Sequence, residues 1–95
     1  MPSDKDAKAK KPEYTVLILP SAQKQLSKLP NAIAIRIEDK LLELEHDPRP
    51  PGCKKLRGRD AWRIRIGDYR AIYEIDDDRL IVTVITIGHR REVYE

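Results

Sequence analysis

The sequence predicts a small α+β domain, in which a helix hairpin packs on a small antiparallel-type sheet in the order β-α-α-β-β-β. Residues 80–87 form an apolar, β-branched run that is typical of a buried strand. A second apolar set has the spacing of one helix face, namely Ile33, Ile37, Leu41 and Leu44. Strand-like and turn-like segments alternate through the last third of the chain. A chain of 95 residues can bury one modest core, so we expect a single domain over residues 13–95.

The first elements follow in order from the N-terminus. Residues 1–12 carry Lys, Asp, Ala and Pro without an apolar face, which predicts a disordered tail. Residues 14–19 are mostly apolar and predict the first strand, which Pro20 ends. Ser21 is the expected N-cap of a short helix. Asn31 is the expected N-cap of a longer second helix, which carries the apolar stripe.

The last third of the chain predicts three strands. Residues 47–52 contain three prolines, which end the second helix. Residues 54–60 predict a basic loop. The strands then follow, separated by a Gly-Asp turn and an Asp-Asp-Asp turn, over residues 61–66, 69–75 and 80–87. We expect them to form an antiparallel meander with the helix pair on one face.

The positive charge of the chain is concentrated in one block. The whole chain carries a formal charge of only +3. Residues 54–70 hold seven basic and two acidic residues, a local charge of +5, whereas residues 71–95 hold three Arg and six acidic residues, a local charge of −3. A basic block attracts phosphate groups; the alternative interpretation is an ordinary solvated face.

The composition excludes several classes of protein. Cys53 is the only cysteine, so the chain has neither an internal disulfide nor a thiolate metal site, and a reducing cytoplasm fits. No His-Cys or carboxylate cluster has metal-ligand spacing, so we expect no metal and no cofactor. The sequence shows no signal peptide and no apolar stretch of membrane-spanning length. We therefore expect a cytoplasmic protein with no membrane partner.

Basic side chains gather near one end of the predicted sheet. Because side chains alternate along a strand, Arg63 and Arg65 point to one side, and the apolar residues next to them point to the core. Arg70 follows a two-residue turn, which brings it close to Arg65 on the adjacent strand. Arg90 and Arg91 follow the last strand, so all five arginines can converge on one surface. Taken singly, each arginine is also explained as charge that protects a sheet edge.

The segment after the last predicted strand combines side chains that suit RNA chemistry. Gly88 is followed by His89, by two arginines and, shortly afterwards, by Tyr94. An imidazole, guanidiniums and a phenol at the exit of a rigid strand can hold and cleave an RNA phosphodiester. We therefore predict a functional site at this exit.

Two segments resemble the RelE/ParE superfamily of bacterial and archaeal toxins. They are residues 62–73 (WRIRIGDYRAIY) and 87–94 (IGHRREVY), and the KLRG segment at residues 55–58 also fits. The predicted element order fits as well, so the resemblance covers about residues 14–95. It implies the RelE-like, microbial RNase-type fold.

For the RelE branch, the resemblance implies a ribosome-dependent endoribonuclease that cuts mRNA in the A site without a metal. The 2′-hydroxyl attacks its own 3′ phosphate, so the site must accept a proton, neutralise the transition state and protonate the leaving 5′ oxygen. The implied catalytic residues are Arg63, Arg65, Arg70, His89, Arg90 and Tyr94. The implied RNA-binding residues are Lys54, Lys55, Arg57, Arg59 and Arg91.

Arg63 and Arg65 depart from some RelE enzymes, which have Lys at these positions. Arginine keeps its proton at any working pH, so neither residue is a suitable general base. Tyr94, His89 or ribosomal RNA is then left to accept the proton of the 2′-hydroxyl.

Two other functions fit the same residues. One is a ParE-type toxin that inhibits DNA gyrase and cuts no RNA, and the other is a small nucleic-acid-binding domain without a partner protein. The tail favours the RelE branch, because a gyrase inhibitor has no need of an imidazole, an arginine and a phenol at a strand exit. The superfamily further implies a cognate antitoxin, RelB-like or similar, with operator DNA bound only through that antitoxin. The ribosome and its mRNA are the implied targets.

Overall fold

This computed structural model describes residues 13–89, along which eight elements follow one another. They are β1 (Thr15–Ile18), α1 (Pro20–Ser27), α2 (Asn31–Leu42), a 3-10 turn (Glu43–Glu45), β2 (Lys54–Lys55), β3 (Trp62–Ile66), β4 (Tyr69–Asp76) and β5 (Ile81–His89). The predicted order is confirmed, and the two-residue strand β2 is an addition within the predicted basic loop. The predicted tail at residues 1–12 lies outside the described residues. Neither helix within residues 13–89 has the length and the apolar sequence needed to cross a membrane.

The five strands form one mixed sheet in the order β1-β5-β4-β3-β2. The strands β3, β4 and β5 form the predicted antiparallel meander. β1 pairs with β5 in parallel, with Thr15 opposite Ile81 and Ile18 opposite Val84, so the sheet is mixed rather than wholly antiparallel. β5 therefore has a neighbour on each side, which agrees with its continuous apolar and β-branched sequence.

Both helices pack on one face of the sheet, as predicted. The helical stripe is fully buried at Ile37, Leu41 and Leu44, each 0% exposed, and Ile33 is partly buried beside them. The sheet contributes to the same cluster Ile64, Ile66, Ala71, Tyr73, Val82, Val84 and Ile87. The main core thus lies between the helix pair and one side of the sheet, called here the helix-facing side. The opposite side is called the open side.

A β-bulge in β5 changes which of its side chains face the helices. Ile72 and Tyr73 are neighbours on β4, but their partners on β5 are Thr86 and Val84, which leaves Ile85 as the extra residue. Beyond the bulge, the alternation of side chains is shifted by one residue. Val82 and Val84, before the bulge, therefore face the helices, whereas Thr86 and Gly88, after it, are on the open side.

The starts of both helices differ from the prediction. α1 begins at Pro20, with Leu19 as its N-cap and Ser21 inside the first turn. α2 begins at Asn31 with Pro30 at the N-cap position, and neither N-cap makes a side-chain hydrogen bond. Proline already has the backbone angle of a first helical turn and has no N–H to satisfy there. Pro20 therefore starts the helix that it was expected to precede, and the predicted caps at Ser21 and Asn31 are wrong.

Candidate functional site

Three arginines lie on the open side of the sheet. Arg63 and Arg65 alternate on β3 with Ile64 and Ile66, which are 2% and 8% exposed and face the core. Arg70 is the cross-strand partner of Arg65, and the side chains of such partners lie on the same side of a sheet. The structure thus brings these residues together as an arginine row, defined by Arg63, Arg65 and Arg70.

The guanidiniums of the arginine row affect one another. Partial burial lowers the pKa of Arg63, and repulsion by Arg70 and Arg65 lowers it further. Arginine still carries its charge at neutral pH, so the row presents positive charges at close range. A bound polyanion would relieve this repulsion.

β2 extends the basic surface by one residue. Lys54 pairs with Arg63, whereas Lys55 pairs with Trp62 and so belongs to the helix-facing side. The Nζ atom of Lys55 lies 3.6 Å from Oδ1 of Asp60. Of the two lysines, the structure places Lys54 beside the arginine row and turns Lys55 away from it.

The loop between β2 and β3 crosses the open side of the sheet. The N–H of Leu56 donates to the carbonyl oxygen of Ala61 at 2.9 Å, and both side chains pack with Ile72 in a small second cluster. Between these anchors, Arg57 and Arg59 are exposed. The buried ends hold the loop in place, so its two arginines stand on the same side as the arginine row.

β5 extends two residues beyond its predicted end and includes Gly88 and His89. Gly88 is opposite Arg70, so no bulky side chain of β5 stands beside that guanidinium on the open side. His89 is opposite Tyr69, and their rings meet edge to face with centroids 5.5 Å apart. Tyr69 packs on the main core, so the structure places His89 on the helix-facing side, away from the arginine row. Three further predicted site residues follow His89 in the sequence and lie outside the described residues: Arg90, Arg91 and Tyr94.

α1 covers the edge of β5 that β1 leaves open. β1 pairs with only the first four residues of β5, and beyond them Ser21 Oγ donates to the carbonyl oxygen of Ile85 at 3.2 Å. Gln25 Oε1 accepts the backbone N–H of Ile87 at 2.6 Å, and Gln25 Nε2 donates to the hydroxyl of Thr86 at 3.2 Å. These contacts fix the part of β5 that leads to the candidate site. The sequence gives no signal for Gln25, because an amide on a helix reads as an ordinary solvated side chain.

A cleft of about 670 Å³ lies where the end of α1, the end of β5 and the loop between β2 and β3 meet. Lys28 and Leu29 line it from the α1 side, Arg59 lines it from the loop, and Tyr69 and His89 line it from the sheet. Sequence reasoning missed Lys28 and Tyr69, because the cleft joins segments that are far apart in the chain. The cleft adjoins the arginine row at Gly88.

The described residues offer charge rather than metal ligands. Among residues 13–89, no three His, Cys, Asp or Glu side chains are grouped so as to hold a metal ion. The arginine row, Lys54 and the exposed arginines of the loop instead form a cationic surface with an adjoining cleft. Such a surface suits the phosphate groups of a nucleic acid, which it can bind through charge-assisted hydrogen bonds.

Comparison with known sequences finds similar proteins among toxins. The sequence model of a family described as "ParE toxin of type II toxin-antitoxin system, parDE" matches residues 16–94. The chain is 36% identical over 84 residues to toxin RelG of Mycobacterium tuberculosis, covering 85% of this chain and 95% of that protein. It is 35% identical over 78 residues to the mRNA interferase toxin RelE of Escherichia coli (strain K12), covering 77% of this chain and 81% of that protein.

Comparison with solved structures finds the same fold. A chain of the archaeal RelE–RelB complex from Pyrococcus horikoshii OT3 matches with a TM-score of 0.76 and 30% sequence identity. The match covers 85% of this chain and 99% of that one. The likeness therefore includes the sheet, the helix pair and the strand that leads to the candidate site.

Proposed function

The chain belongs to the RelE/ParE superfamily of type II toxin–antitoxin toxins, and on that premise we propose that it is an mRNA interferase. It cleaves mRNA in the ribosomal A site and thereby arrests translation in the cytoplasm. The observation that carries this proposal is the arginine row on the open side of the sheet, next to the end of β5. The similarity to a protein named mRNA interferase toxin RelE supports it further.

Cleavage without a metal makes three demands on the site. The 2′-hydroxyl oxygen forms a bond to the adjacent phosphorus while the bond from phosphorus to the 5′ oxygen breaks. One proton passes from the 2′-hydroxyl to a base, and another reaches the leaving 5′ oxygen, which yields a cyclic phosphate and a 5′-hydroxyl. Negative charge grows on the phosphate in the transition state, where fixed positive groups stabilise it most.

The arginines carry the electrostatic part of this proposal. Arg70 stabilises the phosphate oxygens, with Arg63 and Arg65 beside it, and Arg90 acts near the leaving oxygen. Further contacts to the RNA backbone are assigned to Lys54, Lys55, Arg57, Arg59 and Arg91. Among these residues, Lys55 points to the helix-facing side. It can therefore contact only RNA that passes around β2, which is the edge strand of the sheet.

The proton of the 2′-hydroxyl needs a base other than the arginines, since these keep their protons. Tyr94, His89 and ribosomal RNA are the three candidates. His89 lies on the helix-facing side, so it can act as the base only if the RNA reaches that side. His89 can take part when the RNA passes over Gly88 into the cleft, and Tyr94 or ribosomal RNA carries the role otherwise.

A ParE-type inhibitor of DNA gyrase, without RNase activity, is the second candidate function. It is favoured by one observation, that the matching family model is described as a ParE toxin. The two functions predict different damage in a cell. An interferase shortens mRNA and leaves DNA intact, whereas a gyrase inhibitor breaks DNA and leaves mRNA intact.

Induced expression in bacteria, followed by mapping of mRNA 5′ ends, tests the proposal. We expect new 5′ ends in phase with codons and no DNA damage. Arg70→Ala should abolish these ends, and Arg79→Ala, in the turn between β4 and β5, should leave them unchanged. Intact mRNA together with DNA breaks would assign the chain to the gyrase-inhibiting branch instead.

A further inference from the structure

We propose that the cleft between α1 and the end of β5 is a second RNA subsite, which binds the nucleotide next to the cleaved phosphodiester. This inference rests on the proposed function and adds to it a place where the neighbouring nucleotide is held. It assigns RNA binding to Lys28 and Tyr69, which lie outside the predicted site. It also assigns the RNA contact of Arg59 to this cleft.

The size and the position of the cleft suit one nucleotide. Its volume of about 670 Å³ falls within the range of about 300–1,000 Å³ that is typical of ligand sites. Gly88 separates the cleft from Arg70 on the neighbouring strand, and adjacent strands are about 4.8 Å apart. Because Gly88 has no side chain beyond its Cα atom, β5 places no side chain between the arginine row and the cleft at this position.

The charges around the cleft favour a phosphate. Lys28 stands on the α1 side and Arg59 on the loop side, and no carboxylate is among the described residues that line the cleft. Within residues 13–89, neither of these two cations forms an ion pair. By contrast, Arg49 and Lys40 are paired with acidic side chains elsewhere on the surface. The cleft therefore keeps positive charge available on both sides.

The walls of the cleft suit a base as well as a phosphate. Leu29 supplies apolar surface, and Tyr69 supplies an aromatic ring that is held by its edge-to-face contact with His89. Proteins that hold single-stranded RNA combine such aromatic rings with cations along the backbone. An acidic peptide would use the cations but would leave the ring and the apolar walls without a role. The combination therefore points to a nucleotide.

The kinetic consequence follows from the distance to the reacting bond. Contacts that hold a neighbouring nucleotide are made equally in the bound substrate and in the transition state. Such uniform binding lowers KM and leaves kcat unchanged. Loss of Lys28 or Arg59 should therefore weaken RNA binding while the chemical step proceeds at its normal rate.

Binding of a fluorescent oligoribonucleotide to the full chain is the direct test. The probe carries 2′-O-methyl groups throughout, so it cannot be cleaved. Lys28→Ala and Arg59→Ala should each weaken its binding about fivefold, and each should reduce the slope of log K against log salt by about 0.7. Lys24→Ala, on the same helix but outside the cleft, and Arg79→Ala are the matched controls and should bind as the unchanged chain does. Equal binding by the cleft variants and their controls would overturn the subsite.

Two further outcomes separate this inference from the proposed function. If the unchanged chain cleaves mRNA on programmed ribosomes, and the cleft variants keep both its KM and its kcat, the subsite fails and the interferase stands. If the chain binds the probe through the cleft but leaves mRNA intact on ribosomes, the interferase fails, and the cleft remains an RNA-binding site without a role in cleavage. A third outcome concerns a protein partner. An Asp/Glu-rich peptide that loses affinity for the cleft variants, while the RNA probe does not, would assign the cleft to an acidic protein and overturn the inference.

Discussion

Asp77 joins three segments of the chain at the end of the sheet away from the arginine row. Its carboxylate accepts a hydrogen bond of 2.6 Å from the hydroxyl of Tyr14 and two from the guanidinium of Arg49, at 2.9 and 3.3 Å. Arg49 also lies over the ring of Trp62, with its Cζ atom 5.1 Å from the ring centroid. The residue before β1, the proline-rich loop and the turn between β4 and β5 are thereby tied together.

The Asp77 contacts predict a stability that depends on acid pH. Hydrogen bonds from Arg49 and then from Tyr14 lower the pKa of Asp77 below its ordinary value. A carboxyl group whose folded pKa is lowered stabilises the fold above its unfolded pKa, which is about 3.9. This stabilisation is lost as the pH falls through the folded pKa. Asp77→Asn should therefore flatten the fall of Tm between pH 5 and pH 2, as measured by circular dichroism.

Asp78→Asn is the matched control for this measurement. Asp78 is the next residue in the same turn, and its side chain makes no hydrogen bond or ion pair with the described residues. Its substitution removes the same charge without removing the contacts to Tyr14 and Arg49. If both variants flatten the curve equally, the effect belongs to net charge and the contacts of Asp77 do not cause it.

Arg90→Ala and Tyr94→Phe should each abolish toxicity without unfolding the domain. Both residues come after β5 in the sequence, so the buried stripe of α2 keeps its packing when they are changed. Growth arrest on induced expression measures the activity, and thermal melting of the purified variants measures the fold. Ile37→Asp is the contrasting control, because it places a charge at a position that is 0% exposed and should unfold the protein. Two folded and fully toxic variants would show that the tail is not the active site.

At the scale of elements, α1 takes the place of a missing strand beside the second half of β5. Ser21 and Gln25 are four residues apart on a helix, a rise of about 6 Å. Ile85 and Ile87 are two residues apart on a strand, a distance of about 6.6 Å. These two distances are similar, so Ser21 and Gln25 of α1 can each reach a backbone group on the edge of β5, the carbonyl of Ile85 and the N–H of Ile87. The helix thereby stabilises the strand end that carries the candidate site.

Gln25→Leu should loosen this strand end. The change removes the acceptor of the Ile87 N–H, and a part-buried donor left without a partner costs about 1 kcal/mol or more. We expect faster hydrogen exchange at the amide of Ile87, measured by NMR, together with reduced toxicity. Gln25→Glu keeps an acceptor oxygen and should restore the slow exchange.

Gln23→Leu is the matched control on the same helix. Gln23 donates to the carbonyl oxygen of Ile18, at the other end of the contact between α1 and the sheet. Its loss should leave the exchange of Ile87 unchanged. Equal exchange at Ile87 in the Gln25→Leu and unchanged chains would contradict the role given to α1.

The elements that the sequence predicts correctly are those with strong local patterns. The stripe of α2 and the alternation in β3 and β4 record which side of each element is buried, so they locate the core and the arginine row. The parallel pairing of β1 with β5 has no local pattern, because it depends on residues at the two ends of the domain. The bulge at Ile85 is hidden because every residue around it is apolar or β-branched. That single residue decides which side His89 faces, because an uninterrupted alternation along β5 would place His89 on the open side.

At the scale of the whole molecule, the open side of the sheet is divided by charge. The arginine row spans β3 and the first residues of β4, whereas Glu74 and Asp76 lie toward the far end of β4. A partner that covers the basic end needs acidic side chains. Toxins of this superfamily are neutralised by antitoxins, so the charge division indicates which end of the sheet such a partner covers.

The chain should therefore have a dedicated antitoxin, RelB-like or similar, with Asp and Glu facing the arginine row. An amphipathic helix of the antitoxin should cover apolar surface of this small domain, and operator DNA should bind only to the complex. Co-expression with the neighbouring open reading frame, followed by purification through a tag on this chain, measures the association. Charge reversal at Arg65 should weaken it, and the same change at Arg79 should not. A chain that is purified alone and is harmless to cells would contradict both the partner and the toxin function.

The central position of β5 has a consequence for the order in which the domain assembles. β5 is the last described strand in chain order, yet β1 and β4 both depend on it for pairing. On a translating ribosome, β1 and both helices emerge first and have no complete sheet to cover them. Pairings between distant parts of a chain form later than local contacts. The hairpin of β3 and β4, which carries the arginine row, can therefore form before β5 is made, whereas β1 gains a strand partner only after β5 has been synthesised.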